Sequence, residues 1–471
     1  MCGIVGVIAA NGQLPLAVLN EMRDRVSHRG PDGADSWIGQ TRGGAIGLGH
    51  RRLSIIDLSP AAGQPMFSAD GRLVIVYNGE IYNFVELRRE LESHGIAFRT
   101  RSDTEVLLAA YAQWGEACVS RLNGMFAFMI WDTDAERLFV ARDRFGEKPL
   151  FMARLPGGGL ALASEMKALF AHPDIFATSD ERIVRLYATG QYYEDGEATL
   201  FEGITRFPPS HAMVADARGA IVRKWRYWTP DYGAIRERYE PVEAAATFRN
   251  LLERSITMRL RADVPIGTSL SGGLDSSSLV CLLRDLRGDG STAQNTFSAR
   301  FDHDPTISEG PYIDLAVRRA GVNAYAVAPD PARLIEESER LHWHQEEPFL
   351  SASIYLQWCV ARLASEHRTT VLIDGQGADE LLAGYQFYYR SYQLDFIDRR
   401  QLSELLRATI VFNRRLRQAS RRYTDARRRF DARIGMSWPS LAAAWLRVPS
   451  PTGGPYTVGV PPPGWLLPPT W

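Results

Sequence analysis

Two short stretches of this 471-residue chain carry residue types that could do chemistry. The first is Ser271-Gly272-Gly273-Leu274-Asp275-Ser276, set between an apolar run, Pro265 to Leu270, that reads as a buried strand, and a helix from Ser276 on whose Leu279, Val280, Leu282 and Leu283 are apolar. A strand, a glycine loop and a helix N-terminus make an anion site. The first-turn amides have no partner inside the helix, and the macrodipole adds about half a positive charge there. Gly272 and Gly273 let backbone approach an anion closely, Ser271 and Ser276 add hydroxyl donors, and Asp275 is placed to hold a phosphate-bound magnesium ion. No GxxxxGKS or GxxxxGKT element occurs, and the loop has no lysine for a γ-phosphate. That pattern suits capture of a departing pyrophosphate, hence cleavage of ATP between its α- and β-phosphates, the chemistry of adenylation. A plain strand-to-helix connection would need one capping residue, fewer than the glycines, acid and serines present here.

The second stretch is Met1-Cys2-Gly3-Ile4-Val5-Gly6-Val7-Ile8. Removal of Met1, which the small second residue permits, gives Cys2 a free α-amine with a pKa near about 7.7 beside its thiol. Nucleophile and general base then belong to one residue. A structural cysteine in an apolar strand is the other reading of Cys2, and the residue alone does not decide between them.

The elements that must position these residues follow from periodicity and caps. His50 to Asp57 reads as a strand entered by basic residues, and Leu73 to Tyr77 as another, with Asn78-Gly79 after it a hairpin-turn signal. Asn83 with Glu86 predicts a capping box opening a helix that Gly95 stops; Ser102 to Glu105 repeats it before a helix closed by Gly115. Phe126 to Asp132 and Arg137 to Asp143 form a hairpin that is apolar on both faces, so its sheet must be covered on both sides. Gly159 to Ser164 and His211 to Ala215 are further strands, and Thr229 to Pro241 is the best linker. Beyond it, Val242 to Leu260 reads as a helix, Thr296 to Phe301 as a strand, Pro311 to Arg319 as a helix and Thr369 to Ile373 as a strand. Strands alternating with helices predict a parallel, doubly wound sheet whose ligands lie beyond the carboxyl ends of its strands. Asp275 and Asp379 both follow such ends and are candidate ligands of one magnesium ion, although Asp379 also suits a helix cap.

Global composition excludes little and directs attention to sites. A net charge of −1, 45% hydrophobic and 23% charged residues describe an ordinary globular chain, with no call for nucleic acid or membrane as partner. No apolar run reaches the roughly 18 residues of a spanning helix, and no charged n-region of a signal peptide is present, so a cytoplasmic enzyme is expected. Cys2, Cys118, Cys281 and Cys359 lie too far apart for a CxxC site. His342 and His344 have a spacing that shares a face only on a strand.

Taken together, Cys2-Gly3-Ile4, Arg29-Gly30-Pro31-Asp32, His50-Arg51-Arg52-Leu53-Ser54, Asn78-Gly79-Glu80-Ile81-Tyr82-Asn83, Ser102-Asp103 and Gly124-Met125-Phe126-Ala127-Phe128 resemble the class II glutamine amidotransferase domain. The resemblance implies an αββα four-layer N-terminal-nucleophile fold over residues 1–228. It implies that Cys2 attacks the glutamine side-chain amide and that Asn78 and the Gly79 N–H form the oxyanion hole. Arg52 would hold the α-carboxylate and Asp103 the α-ammonium, with Glu80 beside them. Ser271 to Ser276 is similar to the SGGxDS loop of N-type ATP pyrophosphatases, found in asparagine, GMP and argininosuccinate synthetases. With Gly375-Gln376-Gly377-Ala378-Asp379-Glu380 and Ala383-Gly384-Tyr385, it resembles the synthetase domain of glutamine-hydrolysing asparagine synthetases, here over 242–400 after a linker at 229–241.

By that resemblance Leu270, Ala299, Asp374 and Gly375 contact ATP, and Gln376 stands where some members carry a glutamate tied to acyl-adenylate formation. Glutamine, ATP with Mg2+ and an aspartate-like carboxylate are the implied substrates, and the assembly allows a homodimer. After residue 400 the resemblance stops. Ten arginines fall within 407–433, and 437–471 hold nine prolines and four tryptophans, a composition that resembles a shifted reading frame in a GC-rich gene or a truncation followed by an unrelated ending. The 407–433 run suits a solvated helix face better than a nucleic-acid patch. No lysine follows Lys224, so the family's lysine beyond this point has no equivalent, and slow ligation is expected.

Overall fold

The computed structural model describes residues 1–411 apart from 11, 191–195, 232–239, 289–293, 305–306, 350 and 386–387. Most of the expected linker, the arginine run past 411 and the proline-rich tail therefore lie outside the described residues. The chain divides into two compact units, Met1–Gly375 and Gln376 onward.

Within the first unit the described strands form two six-stranded sheets and one four-stranded sheet. The first runs Ile204–Arg206, Phe151–Arg154, Gly159–Ala163, Gly3–Ala10, Gly44–Arg52, Gly33–Thr41, antiparallel throughout. The second runs Ile221–Arg226, His211–Asp216, Arg137–Arg142, Gly124–Asp132, Leu73–Ile81, Met66–Phe67, also antiparallel. Their period-two patterning explains the layering, because successive side chains point to opposite faces. Ile4 and Ile8 pack with Ile46 and Leu48 against Val74, Val76, Met129 and Val140, which is the interior between the sheets. Val5 and Val7 face outward onto Leu19 and Met22 of the helix Leu16–Asp24 and onto Met166 and Leu169. On the far side Ile75, Phe128, Ile130 and Phe139 meet Leu87 and Leu91 of Phe84–Ser93 and Val106 and Leu107 of Asp103–Trp114. Helix, sheet, sheet and helix stack in the expected αββα order. Each large side chain so buried contributes about 1.5–3 kcal/mol.

Three local expectations need correction. The strand expected over His50 to Asp57 ends at Arg52, and Asp57 adopts a left-handed φ of +56° within a loop. Asn78 and Gly79 make no turn: the strand Leu73–Ile81 continues through them, pairing Asn78 with Ala127 and Gly79 with Phe126. Asn83 does precede its helix, but its Oδ1 accepts from the Asn123 N–H at 2.8 Å and its Nδ2 donates to the Arg121 carbonyl at 3.0 Å, so it ties two segments together rather than capping. Ser102 caps as expected, its hydroxyl accepting from the Glu105 N–H at 3.2 Å.

The third sheet is parallel and runs Asn323–Val327, Asn295–Ala299, Ile266–Ser269, Val371–Ile373. From the central strand Ile266–Ser269 the chain winds outward to one edge, then crosses to the other side. The order reverses beside Ile266–Ser269, and in such sheets ligands bind at the carboxyl ends flanking the reversal. Helices cover this sheet through Val280, Ile313 and Ala316, and through Ile256 and Leu283. Asn323–Val327, missed in the sequence reading, is a short, largely exposed edge strand whose apolar residues are mostly small.

Candidate functional site

The residues expected to handle glutamine converge on one pocket. Cys2, Arg52, Asn78, Gly79, Glu80 and Asp103 all line it, together with Met1, Leu53, Gln64, Tyr77, Thr104 and Lys148. Cys2 immediately precedes the strand Gly3–Ala10, with the Leu53 N–H 3.4 Å from Sγ and the thiol directed at the Leu53 carbonyl at 3.6 Å. The Arg29 Nε donates to the Cys2 carbonyl at 2.8 Å, which fixes the backbone of the nucleophile. Burial pushes the Cys2 thiol pKa up and pulls the Met1 amine down to about 5. At neutral pH the proton therefore stays on the Cys2 sulfur and the Met1 amine is neutral.

The other wall is the edge of Leu73–Ile81. In a strand, alternate N–H groups point the same way. Here the Tyr77 N–H donates to Gln64 Oε1 at 2.6 Å and the Ile81 N–H to Asp103 Oδ2 at 3.0 Å. Gly79 lies between them on the same edge and lines the pocket, because the facing residue, Phe126, exchanges its bonds with Asp143 on the opposite side. A Cβ on Gly79 would fall 2.3 Å from the Met125 carbonyl, so the neighbouring strand tolerates only glycine there. Asn78 is 1% exposed, and neither its Oδ1 nor its Nδ2 has a partner among the described residues. An unpartnered amide at the wall of a pocket is a donor awaiting an acceptor.

Charge around the pocket is arranged for a zwitterion. Arg52 ends its strand with Nη1 donating to the Ser59 carbonyl at 2.8 Å and Nη2 to that of Asp57. Asp103 is buried, accepts from the Tyr77 hydroxyl at 2.8 Å, and has its pKa raised by desolvation, so an incoming ammonium would relieve it. Burial likewise lifts Glu80 to about 7 and depresses Lys148, each partly offset by the other. Sequence reading missed Gln64, Tyr77 and Lys148; of these only Tyr77 left a signal, as the residue two before Gly79 on one strand edge.

The phosphate-loop residues gather at the reversal of the parallel sheet. Leu270 is buried, with its N–H on the Phe297 carbonyl at 2.9 Å, and Ala299 ends the adjacent strand. The helix begins at Leu274, with Gly273 as a cap that has no side chain to satisfy its first amides. Gly272 has φ +85°, and a Cβ there would fall 3.0 Å from the Glu309 carbonyl. The Ser271 and Ser276 hydroxyls are 3.0 Å apart and bond within the loop, so they shape it instead of standing free as donors. Asp275 lies in the first turn, and a Cβ on Gly375, just after Asp374, would sit 3.2 Å from the Ser276 nitrogen. An uncapped helix start walled by glycines fits phosphate oxygens. Gln376 and Asp379 belong to the second unit, Asp379 in the first turn of Ala378–Leu382. Among the described residues no group of three or more His, Cys, Asp or Glu gathers for a metal, and His342 and His344 lie on the helix Pro331–Gln345. A phosphate-bound Mg2+ needs only one or two carboxylates, so Asp275 still suits it. No described helix is long and apolar enough to cross a membrane.

Comparison with known proteins matches two stretches of the chain to family profiles. Residues 1–228 match the family profile of a glutamine amidotransferase domain, and 247–455 that of asparagine synthase. Asparagine synthetase (glutamine-hydrolyzing) 3 of Bacillus subtilis is 32% identical over 406 residues, 83% of this chain and 64% of its own. Asparagine synthetase (glutamine-hydrolyzing) 1 of the same organism is 34% identical over 410 residues, 85% of this chain and 61% of its own. A Methanocaldococcus jannaschii protein, "Putative asparagine synthetase (glutamine-hydrolyzing) 2", is 33% identical over 428 residues, 86% of this chain and 79% of its own. The chain thus spans 64% and 61% of the two Bacillus relatives' lengths.

Proposed function

Since the chain belongs to the glutamine-hydrolysing asparagine synthetase family, we propose that it is an ATP-dependent amide ligase that takes ammonia from glutamine and transfers it to aspartate. The observation that carries the reading is the convergence of Cys2, Arg52, Asn78, Gly79, Glu80 and Asp103 on one pocket, with the Asn78 amide buried and unpartnered. Arg52 and Asp103 hold the α-carboxylate and α-ammonium of glutamine. Once Met1 is removed, the Cys2 α-amine takes the thiol proton as sulfur attacks the amide carbon. Asn78 Nδ2 and the Gly79 N–H then receive the oxyanion, each such donor being worth about 3–4 kcal/mol in the transition state. Collapse breaks the C–N bond, the amine returns its proton to the departing ammonia, and water cleaves the thioester to glutamate.

In the synthetase region, residues 242–400, the first turn of Leu274–Arg287 and the backbone of Gly272, Gly273 and Gly375 receive ATP phosphates, with Leu270, Ala299 and Asp374 around the nucleotide. Asp275, in the first turn of that helix, would hold a phosphate-bound Mg2+, which would supply charge neutralisation when bound. The aspartate β-carboxylate displaces pyrophosphate to give an acyl-adenylate, the step to which the resemblance ties the position of Gln376, and ammonia displaces AMP. The test is incubation with amide-15N glutamine, ATP, Mg2+ and aspartate. Labelled asparagine formed with equimolar AMP and pyrophosphate supports the reading. Glutamate and free ammonia alone, with ATP untouched, would reduce the chain to a glutaminase. Gln376, where a glutamate is expected, favours one second reading, an acceptor carboxylate other than aspartate, which a panel of acceptors in the same assay separates.

A further inference from the structure

Residues 259–263, where the helix Pro241–Arg259 ends and the chain runs on towards the strand Ile266–Ser269, touch the glutamine domain at two places, one of them at Ile55, which lines the pocket. Arg261 reaches the Tyr82 carbonyl at 2.6 Å and both oxygens of Glu86 at 2.6 Å, while the Arg259 guanidinium lies 4.4 Å over the Tyr82 ring. Asp263 reaches the loop beneath Arg52. Its Oδ2 accepts from the Asp57 N–H at 2.9 Å, and its own N–H donates to the Ile55 carbonyl at 2.8 Å.

Asp57 is the turning point of that loop. Its φ of +56° is uncommon for a residue with a side chain and persists only where the surroundings over-determine it. The Asp57 carboxylate accepts from the Ser59 N–H at 3.0 Å and the Arg101 N–H at 2.7 Å, and its own N–H is held by Asp263. In this conformation the carbonyls of Asp57 and Ser59 both face Arg52 and take its two Nη groups. The orientation of the Arg52 fork is therefore fixed from behind by a carboxylate of the synthetase half.

We propose that Asp263 is a positioning residue for glutamine, acting through the Asp57 turn to aim Arg52 at the substrate's α-carboxylate. This rests on the reading above that Arg52 binds that carboxylate. A guanidinium binds a carboxylate bidentately only when its plane is set, so loss of the strut weakens carboxylate recognition and leaves the Cys2 chemistry intact. An aspartate that merely closed a surface turn would lower all activity in proportion to the protein lost, without preference between substrates.

The experiment compares kcat/KM for ammonia release from L-glutamine and from its α-methyl ester, which keeps the amide and the ammonium but lacks the carboxylate. Both are measured on one preparation, so their ratio does not depend on how much of it is folded. Arg52→Ala should collapse the ratio towards one. Asp263→Ala should lower it about tenfold, through KM for glutamine, with the ester reaction within about twofold of wild type. Asp263→Asn keeps an acceptor oxygen and should restore the ratio. If Arg52→Ala collapses the ratio and Asp263→Ala leaves it unchanged, or lowers it without recovery in Asp263→Asn, the positioning proposal is overturned. If Arg52→Ala leaves the ratio unchanged, it is the assignment of Arg52 that fails.

Discussion

Replacing Asn78 by alanine should raise stability and lower catalysis together, a combination that a structural asparagine cannot give. The side chain is 1% exposed and both polar atoms lack partners among the described residues. Burying an amide without hydrogen bonds costs about 1–3 kcal/mol in proteins, and alanine removes that cost while forfeiting a few van der Waals contacts. A net gain of about 1 kcal/mol should appear as a rise of roughly 2–4 °C in the midpoint of the glutaminase region, whose size is in the range where that conversion applies. In the reaction the same amide meets a developing oxyanion, and its loss should cost about 10²–10³ in kcat. KM should stay within a few-fold, since the proposed reading gives ground-state binding to Arg52 and Asp103. Ammonia release by a coupled assay and unfolding followed by intrinsic fluorescence provide both numbers. A midpoint several degrees lower with kcat near wild type would refute the reasoning, and would make Asn78 a packing residue whose partners form only in solution.

Three other outcomes follow from the geometry. Cys2→Ala should abolish glutamine hydrolysis and leave ATP affinity unchanged, as nucleophile and phosphate loop lie in different sheets; residual glutaminase activity in rigorously purified variant would remove Cys2 as nucleophile. Glu80 has its pKa lifted to about 7 by burial, so between its ordinary value near 4.5 and 7 the folded chain holds a proton that the unfolded chain has lost. Stability from this group therefore falls as pH rises through that window, by up to about 3 kcal/mol, and is flat above it. Glu80→Gln should be progressively more stable than wild type from pH 4.5 to 7, whereas parallel stability curves would show that Glu80 does not titrate there. Gly375→Ala should weaken ATP binding at least tenfold, because its methyl group would enter the space over the Ser276 nitrogen where phosphate is expected; unchanged affinity by calorimetry in a variant whose unfolding midpoint shows it folded would locate the nucleotide elsewhere.

What the sequence determined by itself was whatever local pattern controls. Two-faced apolar alternation in Phe126 to Asp132 required a covered sheet, and that sheet is the inner layer of the sandwich. Ser271 to Ser276 announced a glycine loop before a helix, because the glycines, the acid and the apolar period occupy adjacent positions. The residues that the motifs named for glutamine also line one pocket together. Tertiary structure decided how they work. Asn78-Gly79 looks like a turn because its local propensity is a turn's, yet pairing with Gly124–Asp132 holds it extended. Only that extension puts the Gly79 N–H between two edge amides already taken by Gln64 and Asp103. The family resemblance read Arg52 as a carboxylate binder, but the guanidinium is held by the Asp57 and Ser59 carbonyls, and Asp57 by Asp263, 206 positions away with no shared pattern. The raised pKa of Glu80 and the lowered one of the terminal amine are likewise invisible in composition. Both arise from desolvation, which exists only once sheets and loops have closed around the charge.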